Sequence, residues 1–167
     1  MTILGAILFV AVSLGLQVLV TTLLPGVAGY VDFLVVPVIW FAIRRSQRAA
    51  MLTGCMAGLV RDAWFRSAVF GMSGFEKTFL GWFLGGLSSR FDLNSTSSRF
   101  ATGFVFVLAQ NLLSIGLLRL MDQDPVPMDL VHWLIQGLVS GLLVVVGFAI
   151  VNRIAGHADR GSGYASN

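Results

Sequence analysis

Four charged residues, Arg61, Asp62, Glu76 and Lys77, lie beside the most apolar segments of a chain that is 56% hydrophobic and only 11% charged. Side chains of these types can transfer protons or form ion pairs. Charged groups inside a membrane generally pair with one another, because a lone charge is costly there. The sequence therefore predicts that these residues hold helices together electrostatically.

The remaining polar residues do not form a catalytic or a cofactor-binding pattern. His132 lies at the end of an apolar segment and His157 in a polar tail, and neither has a nucleophile or a second metal ligand spaced beside it. There is no P-loop and no dinucleotide-binding fingerprint. Cys55 is the single cysteine, so no intrachain disulfide can form. We predict no enzymatic activity, no cofactor and no metal site.

Polar side chains scattered through the apolar segments do not form the continuous stripe that a channel would need. They are more typical of hydrogen bonds between helices. The residues concerned are Gln17, Gln110, Asn111 and Gln136. Asp32 begins a short apolar segment, where a carboxylate is favoured by the helix dipole, so we expect it to cap a helix in preference to relaying protons.

The overall composition predicts a membrane protein. Soluble domains carry about 25% charged residues, whereas this chain has 11% and a mean hydropathy of +0.85. The net charge of +3 is explained by basic residues in cytoplasmic loops and does not indicate a nucleic-acid partner. A lipid bilayer is therefore the expected surrounding.

Six apolar segments are predicted to be transmembrane helices, which makes the fold class all-α and polytopic. They span residues 1–24, 30–43, 49–65, 71–89, 100–120 and 130–154. The second segment reaches only about 20 Å as a helix, against a hydrocarbon core of about 30 Å, and contains Pro37. We expect that helix to be bent or partly buried in the protein.

The distribution of charge between the loops predicts the orientation. Lys and Arg concentrate on the cytoplasmic side of membrane proteins. Basic residues follow the second, fourth and sixth segments, namely Arg44, Arg45, Arg48, Arg90, Arg99, Arg153 and Arg160, whereas Asp122, Asp124 and Asp129 follow the fifth. Both termini are thus expected in the cytoplasm. Residues 1–155 form one predicted transmembrane domain, and the Gly/Ser-rich segment 156–167 is predicted to be a disordered cytoplasmic tail.

Two stripes of residues spaced by four are predicted to face each other on the third and fourth helices. An antiparallel register pairs Asp62 with Lys77, Gly58 with Gly81, and Gly54 with Gly85. Small residues let helix backbones approach closely in lipid. Glycine pairs at this spacing occur in the chain about as often as chance allows, so the opposite charges carry the argument.

The pairing of Arg61 and Glu76 stays open at this level. They could pair with each other, Glu76 could pair with Arg66, or the two side chains could extend separately toward water.

The segments YVDFLVVPVIWFAIRR (30–45), GLVRDAWF (58–65) and GMSGFEKTFLGWFLGGLSSRF (71–91) occur in this order. Together they resemble the rod shape-determining MreD family of bacteria, most closely over residues 30–91. The family motif is matched by Asp62, Lys77, Thr78 and Gly81, and in part by Asp32. The family usually has proline before that aspartate, where this chain has Val31.

The resemblance implies a non-enzymatic, multi-pass protein of the bacterial inner membrane that belongs to the cell-elongation machinery. Such a scaffold would help maintain rod shape and organise peptidoglycan synthesis. The implied partners are an MreC-like protein with a single span, the MreB filament, the RodA glycosyltransferase and a class B penicillin-binding transpeptidase.

A second hypothesis is a membrane-embedded capture subunit of a vitamin transporter. Those subunits also have six helices and about this length, and the MreD architecture is similar to theirs. The hypothesis requires a small-molecule pocket and a small-residue face on the first helix, where Ala11 and Gly15 are spaced by four.

Overall fold

The computed structural model describes residues 3–44, 46–65, 69–91, 93, 95–123 and 129–162, and these contain seven helices and no strand. The helices are α1 Ile3–Leu23, α2 Pro25–Ala28, α3 Val35–Arg44, α4 Gln47–Phe65, α5 Met72–Ser88, α6 Thr96–Leu120 and α7 Leu130–Ser162. The predicted all-α class is confirmed. Each of the six predicted segments corresponds to one helix of ten residues or more, and α2 is an additional single turn.

Three of the helices are long and apolar enough to cross a membrane. The apolar stretches are Gly5–Leu23 in α1, Thr96–Leu120 in α6 and Leu130–Arg153 in α7. Large hydrophobic side chains also point away from the protein interior, as at Leu8 and Leu142, which are each at least 60% exposed. An apolar exterior of this kind is compatible with a membrane protein.

The short helix α3 forms the centre of the fold. Residues 35–42 are all buried, because α3 is apolar on every side and packs against α1, α4, α5, α6 and α7. Its ten residues span about 15 Å. The expectation that this segment is buried within the protein is confirmed.

Helices α4 and α5 pack with almost no space between their backbones. A Cβ added at Gly54 would overlap the backbone of Lys77 and Thr78, and one added at Gly58 would overlap Ser73 and Gly74. Glycine allows this close approach because it has no side chain.

The predicted register of this hairpin is wrong. Gly58 lies against Gly74 rather than Gly81, and Gly81 lies against Ala50, so α5 is displaced along α4 by about two turns. Gly85 lies against Gln47 and not against Gly54. A spacing of four fits equally well after each turn of a helix, so the pattern does not select one register.

The predicted boundary between the transmembrane domain and the tail, after residue 155, does not coincide with the end of a helix. Helix α7 continues past residue 155 as far as Ser162, and residues 163–167 lie outside the described part of the chain. The disordered tail therefore stays a prediction. Arg45, Arg66 and Asp124 also lie outside the described residues.

Candidate functional site

Asp32 is the centre of a buried charge network. It lies in the segment between α2 and α3 and is 4% exposed. Its Oδ2 accepts hydrogen bonds from Lys77 Nζ at 2.6 Å and from Arg61 Nη1 at 3.0 Å. Its Oδ1 accepts a hydrogen bond from the Leu34 amide at 3.1 Å, which agrees with the expected cap at the start of α3. Asp32 thus joins the amino end of α3 to both α4 and α5.

Gln17 on α1 fixes the backbone on either side of Asp32. Its Nε2 donates to the Val31 carbonyl at 2.9 Å, and its Oε1 accepts from the Phe33 amide at 3.0 Å. The side chain is 6% exposed. This amide therefore satisfies backbone groups that would otherwise be unpaired in the interior. Gln17 forms hydrogen bonds as predicted, but its partners lie in the segment between α2 and α3 and not on a second helix.

Lys77 is completely buried and bridges three parts of the fold. Besides the ion pair with Asp32, its Nζ donates to Gln110 Oε1 on α6 at 3.0 Å. The predicted contact with Asp62 is wrong, since among the described residues the ion pair that Lys77 forms is with Asp32. The displaced register carries Lys77 away from Asp62 and toward the start of α3.

Asp62 instead accepts hydrogen bonds from the beginning of α5. Its Oδ2 lies 3.0 Å from the amides of both Gly71 and Ser73, and the residue is 1% exposed. The first amides of a helix lack partners within the helix, and a carboxylate there also meets the favourable end of the helix dipole. Gly71 has φ of 91°, a conformation that favours glycine. Asp62 therefore positions the turn into α5.

Replacing Asp62 tests this capping role. We expect Asp62→Ala to lower the free energy of unfolding by about 1–3 kcal/mol, because the two partly buried amides lose their acceptor. Asp62→Asn should lower the free energy of unfolding by less, since the amide oxygen of asparagine can still accept these hydrogen bonds. Denaturant titration of the purified protein measures both values. Equal losses for Ala and Asn would contradict the role of the acceptor oxygen.

Glu76 and Arg61, whose pairing the sequence left open, do not pair with each other. Arg61 pairs with Asp32, and Glu76 Oε1 accepts a hydrogen bond from Ser114 of α6 at 2.5 Å. A pairing of Glu76 with Arg66 was the second alternative, and Arg66 lies outside the described residues. Thr78 donates to the Gly74 carbonyl within α5 at 2.6 Å, so its hydroxyl is used inside its own helix.

A polar cavity of about 440 Å³ lies beside the network. It is formed by the carboxyl-terminal parts of α4 and α6 and the amino-terminal parts of α5 and α7. Its polar lining includes Arg61, Glu76, Asn111, Ser114, His132 and Gln136. Volumes of roughly 300–1,000 Å³ are typical of small-molecule sites.

Polar contacts also hold together the side of the cavity that α6 and α7 form. Asn111 Nδ2 on α6 donates to Gln136 Oε1 on α7 at 2.8 Å, which confirms the interhelical hydrogen bonds predicted for both residues. The ring of His132 packs against Tyr30 with centroids 4.3 Å apart. These contacts tie α7 to α6 and to the segment before α3.

The site as a whole can hold helices in place by fixed charges, and it presents Arg61 and Glu76 to an open space. Sequence reasoning identified the charged residues but neither the cavity nor Ser114, the partner of Glu76. Among the residues that the structure describes, no group of three or more His, Cys, Asp or Glu side chains could hold a metal ion. No protein-family model, curated protein or solved structure matches this chain.

Proposed function

We propose that this chain is a non-enzymatic scaffold of the bacterial inner membrane that helps maintain rod shape and organises peptidoglycan synthesis. The observation that carries the proposal is the contact between Asp32 and Lys77 at 2.6 Å. These two residues belong to separate segments of the MreD-like pattern, 45 positions apart. Their contact gives a physical reason for both segments to occur in one chain.

The other residues of that pattern support the same conclusion. Asp62 holds the start of α5, and Gly81 packs against Ala50 of α4. Both contacts fix α5 relative to α4, and the ion pair of Lys77 with Asp32 links α5 to the start of α3. A rigid unit of this kind suits a protein that works by docking on neighbouring spans.

The proposed topology has six helices crossing the membrane and both termini in the cytoplasm. The apolar helices α1, α6 and α7 support it, and so does the excess of basic residues in the loops assigned to the cytoplasm. In this topology the charge network lies toward the periplasmic face.

The proposed partners follow from the resemblance. They are an MreC-like protein with one span, the MreB filament, the RodA glycosyltransferase and a class B penicillin-binding transpeptidase. The short connections between the helices leave the outer helix surfaces as the area available for docking.

Depletion of the protein tests the proposal in a rod-shaped bacterium that carries its gene. We expect the cells to become round and the tagged protein to co-purify with an MreC-like partner. Re-expression of the wild-type chain should restore the rods. Unchanged cell shape together with no MreC-like partner would contradict the proposal.

The cavity favours a second candidate, a capture subunit of a vitamin transporter. Such a subunit needs a polar pocket, and the volume of about 440 Å³ is sufficient for a small molecule. Co-purification with a transport ATPase, and a vitamin released from the purified protein on denaturation, would support this candidate over the scaffold.

A further inference from the structure

The cavity beside the charge network is lined by an acidic and a basic side chain that do not form an ion pair with each other. Glu76 and Arg61 both line it, and no ion pair within 4 Å joins them. In the network, the single carboxylate of Asp32 faces two cations, Lys77 and Arg61. Arg61 therefore shares its counter-ion with Lys77, whereas Glu76 forms no ion pair with any described residue.

The Glu76 carboxylate is buried but only partly satisfied. The residue is 2% exposed, and its Oε1 accepts from Ser114. Within the described part of the chain, no donor bonds to Oε2 and no cation lies within 4 Å. A buried carboxylate without a cation is costly, so a positively charged group entering the cavity would be bound favourably there.

The Arg61 guanidinium has donors to spare. It carries five N–H groups, and the hydrogen bond formed with the described residues is the one from Nη1 to Asp32. Its side chain is 32% exposed, in contrast to the full burial of Lys77. Guanidinium groups bind phosphate and carboxylate well, because two parallel N–H donors match two oxygens.

We infer that this cavity binds a small zwitterion, with an ammonium group on Glu76 and a phosphate or carboxylate group on Arg61. Trp133 also lines the space, and aromatic rings attract cations. The inference rests on the cavity and does not depend on the scaffold role. Two sources supply this chemistry, namely a soluble zwitterion and the ethanolamine headgroup of a phospholipid.

The first experiment uses the full-length wild-type protein in detergent and three soluble probes. O-phosphoethanolamine has both charges, O-phosphocholine lacks the N–H donors, and ethyl phosphate lacks the cation. Isothermal titration should show the tightest binding for O-phosphoethanolamine, by on the order of tenfold, because Glu76 accepts charged hydrogen bonds from its ammonium.

A second arm tests the lipid source in nanodiscs. Native mass spectrometry compares retention of phosphatidylethanolamine and phosphatidylcholine on the protein. Selective retention of the ethanolamine lipid without binding of the soluble probe assigns the site to a headgroup. Preference for O-phosphoethanolamine in solution assigns it to a soluble zwitterion. Absence of any preference for the ammonium compound in both arms overturns the inference.

Variants then connect the binding to the cavity. Glu76→Gln removes the negative charge with little change of shape and should lose the preference for the ammonium probe or lipid. The matched control is Asp122→Asn, because Asp122 is an exposed carboxylate outside the cavity lining. Wild-type selectivity in Glu76→Gln would overturn the inference. The probe series with the wild-type protein decides the question even if that variant does not fold.

Discussion

The variant Lys77→Met is expected to lower the free energy of unfolding by about 3–5 kcal/mol, because it leaves the buried Asp32 carboxylate without its shortest ion pair. The loss should lie toward the lower end of that range, since Arg61 still faces Asp32 at 3.0 Å. The same change also leaves the buried Gln110 Oε1 without the donor that Lys77 supplies. Titration with sodium dodecyl sulfate in mixed micelles measures the effect on the purified protein.

A double-mutant cycle separates the ion pair from general damage to the core. The double variant Lys77→Met/Asp32→Asn should lower the free energy of unfolding by less than the sum of the losses in the two single variants. The reason is that no carboxylate is left without its cation. Arg48→Met is the control, since Arg48 is an exposed basic residue on α4, and it should change stability by no more than about 0.5 kcal/mol. Simple additivity in the cycle would contradict the ion pair.

The burial of Lys77 can also be measured without any substitution. Lys77 is the only lysine in the sequence and is completely buried. In the folded protein an amine-reactive reagent should therefore modify Lys77 far more slowly than it does after unfolding. Mass spectrometry of the labelled peptide gives the rate. Rapid modification in the folded state would place Lys77 outside the interior.

The second large effect is expected at the glycines between α4 and α5. Gly58→Ala should destabilise the protein by about 1–3 kcal/mol or more, because the added methyl group overlaps the backbone of Ser73 and Gly74. Backbone atoms cannot rotate aside as a flexible side chain can, so the helices must separate. Denaturant titration measures the loss.

Gly116→Ala provides the matched control on α6. Nothing lies within 4 Å of a Cβ at that position, so alanine should be neutral or stabilising by up to about 1 kcal/mol through its helix propensity. Gly54→Ala should behave like Gly58→Ala and should also speed the labelling of Lys77, because Gly54 lies against the Lys77 backbone. Equal stability of all three variants would contradict the close approach of the helices.

The helices and several of their polar contacts could be predicted from the sequence. Each of the six apolar segments contains a helix, since apolar length and turn residues are local properties. The hydrogen bond of Asn111 between helices was also predictable, because an amide in an apolar segment must find a partner. The same reason predicts that Gln17 forms hydrogen bonds, but not that its partners lie outside a helix.

The partner of Lys77 could not be predicted in this way. Asp62 and Asp32 are both carboxylates near apolar helix ends, and the spacing of four that favoured Asp62 recurs at each turn. The choice depends on how far α5 is displaced along α4. In the structure, that displacement places Asp62 beside the start of α5 and Lys77 beside Asp32.

The sequence by itself determined that this protein is helical, apolar on its exterior and supplied with charges that must be neutralised inside. These properties follow from the composition and the length of each segment. Both are local properties of the sequence. Only the tertiary structure decided which charges meet and that a cavity remains between α4, α5, α6 and α7. Contacts and cavities depend on the register and separation of helices distant in sequence, and no local pattern encodes either.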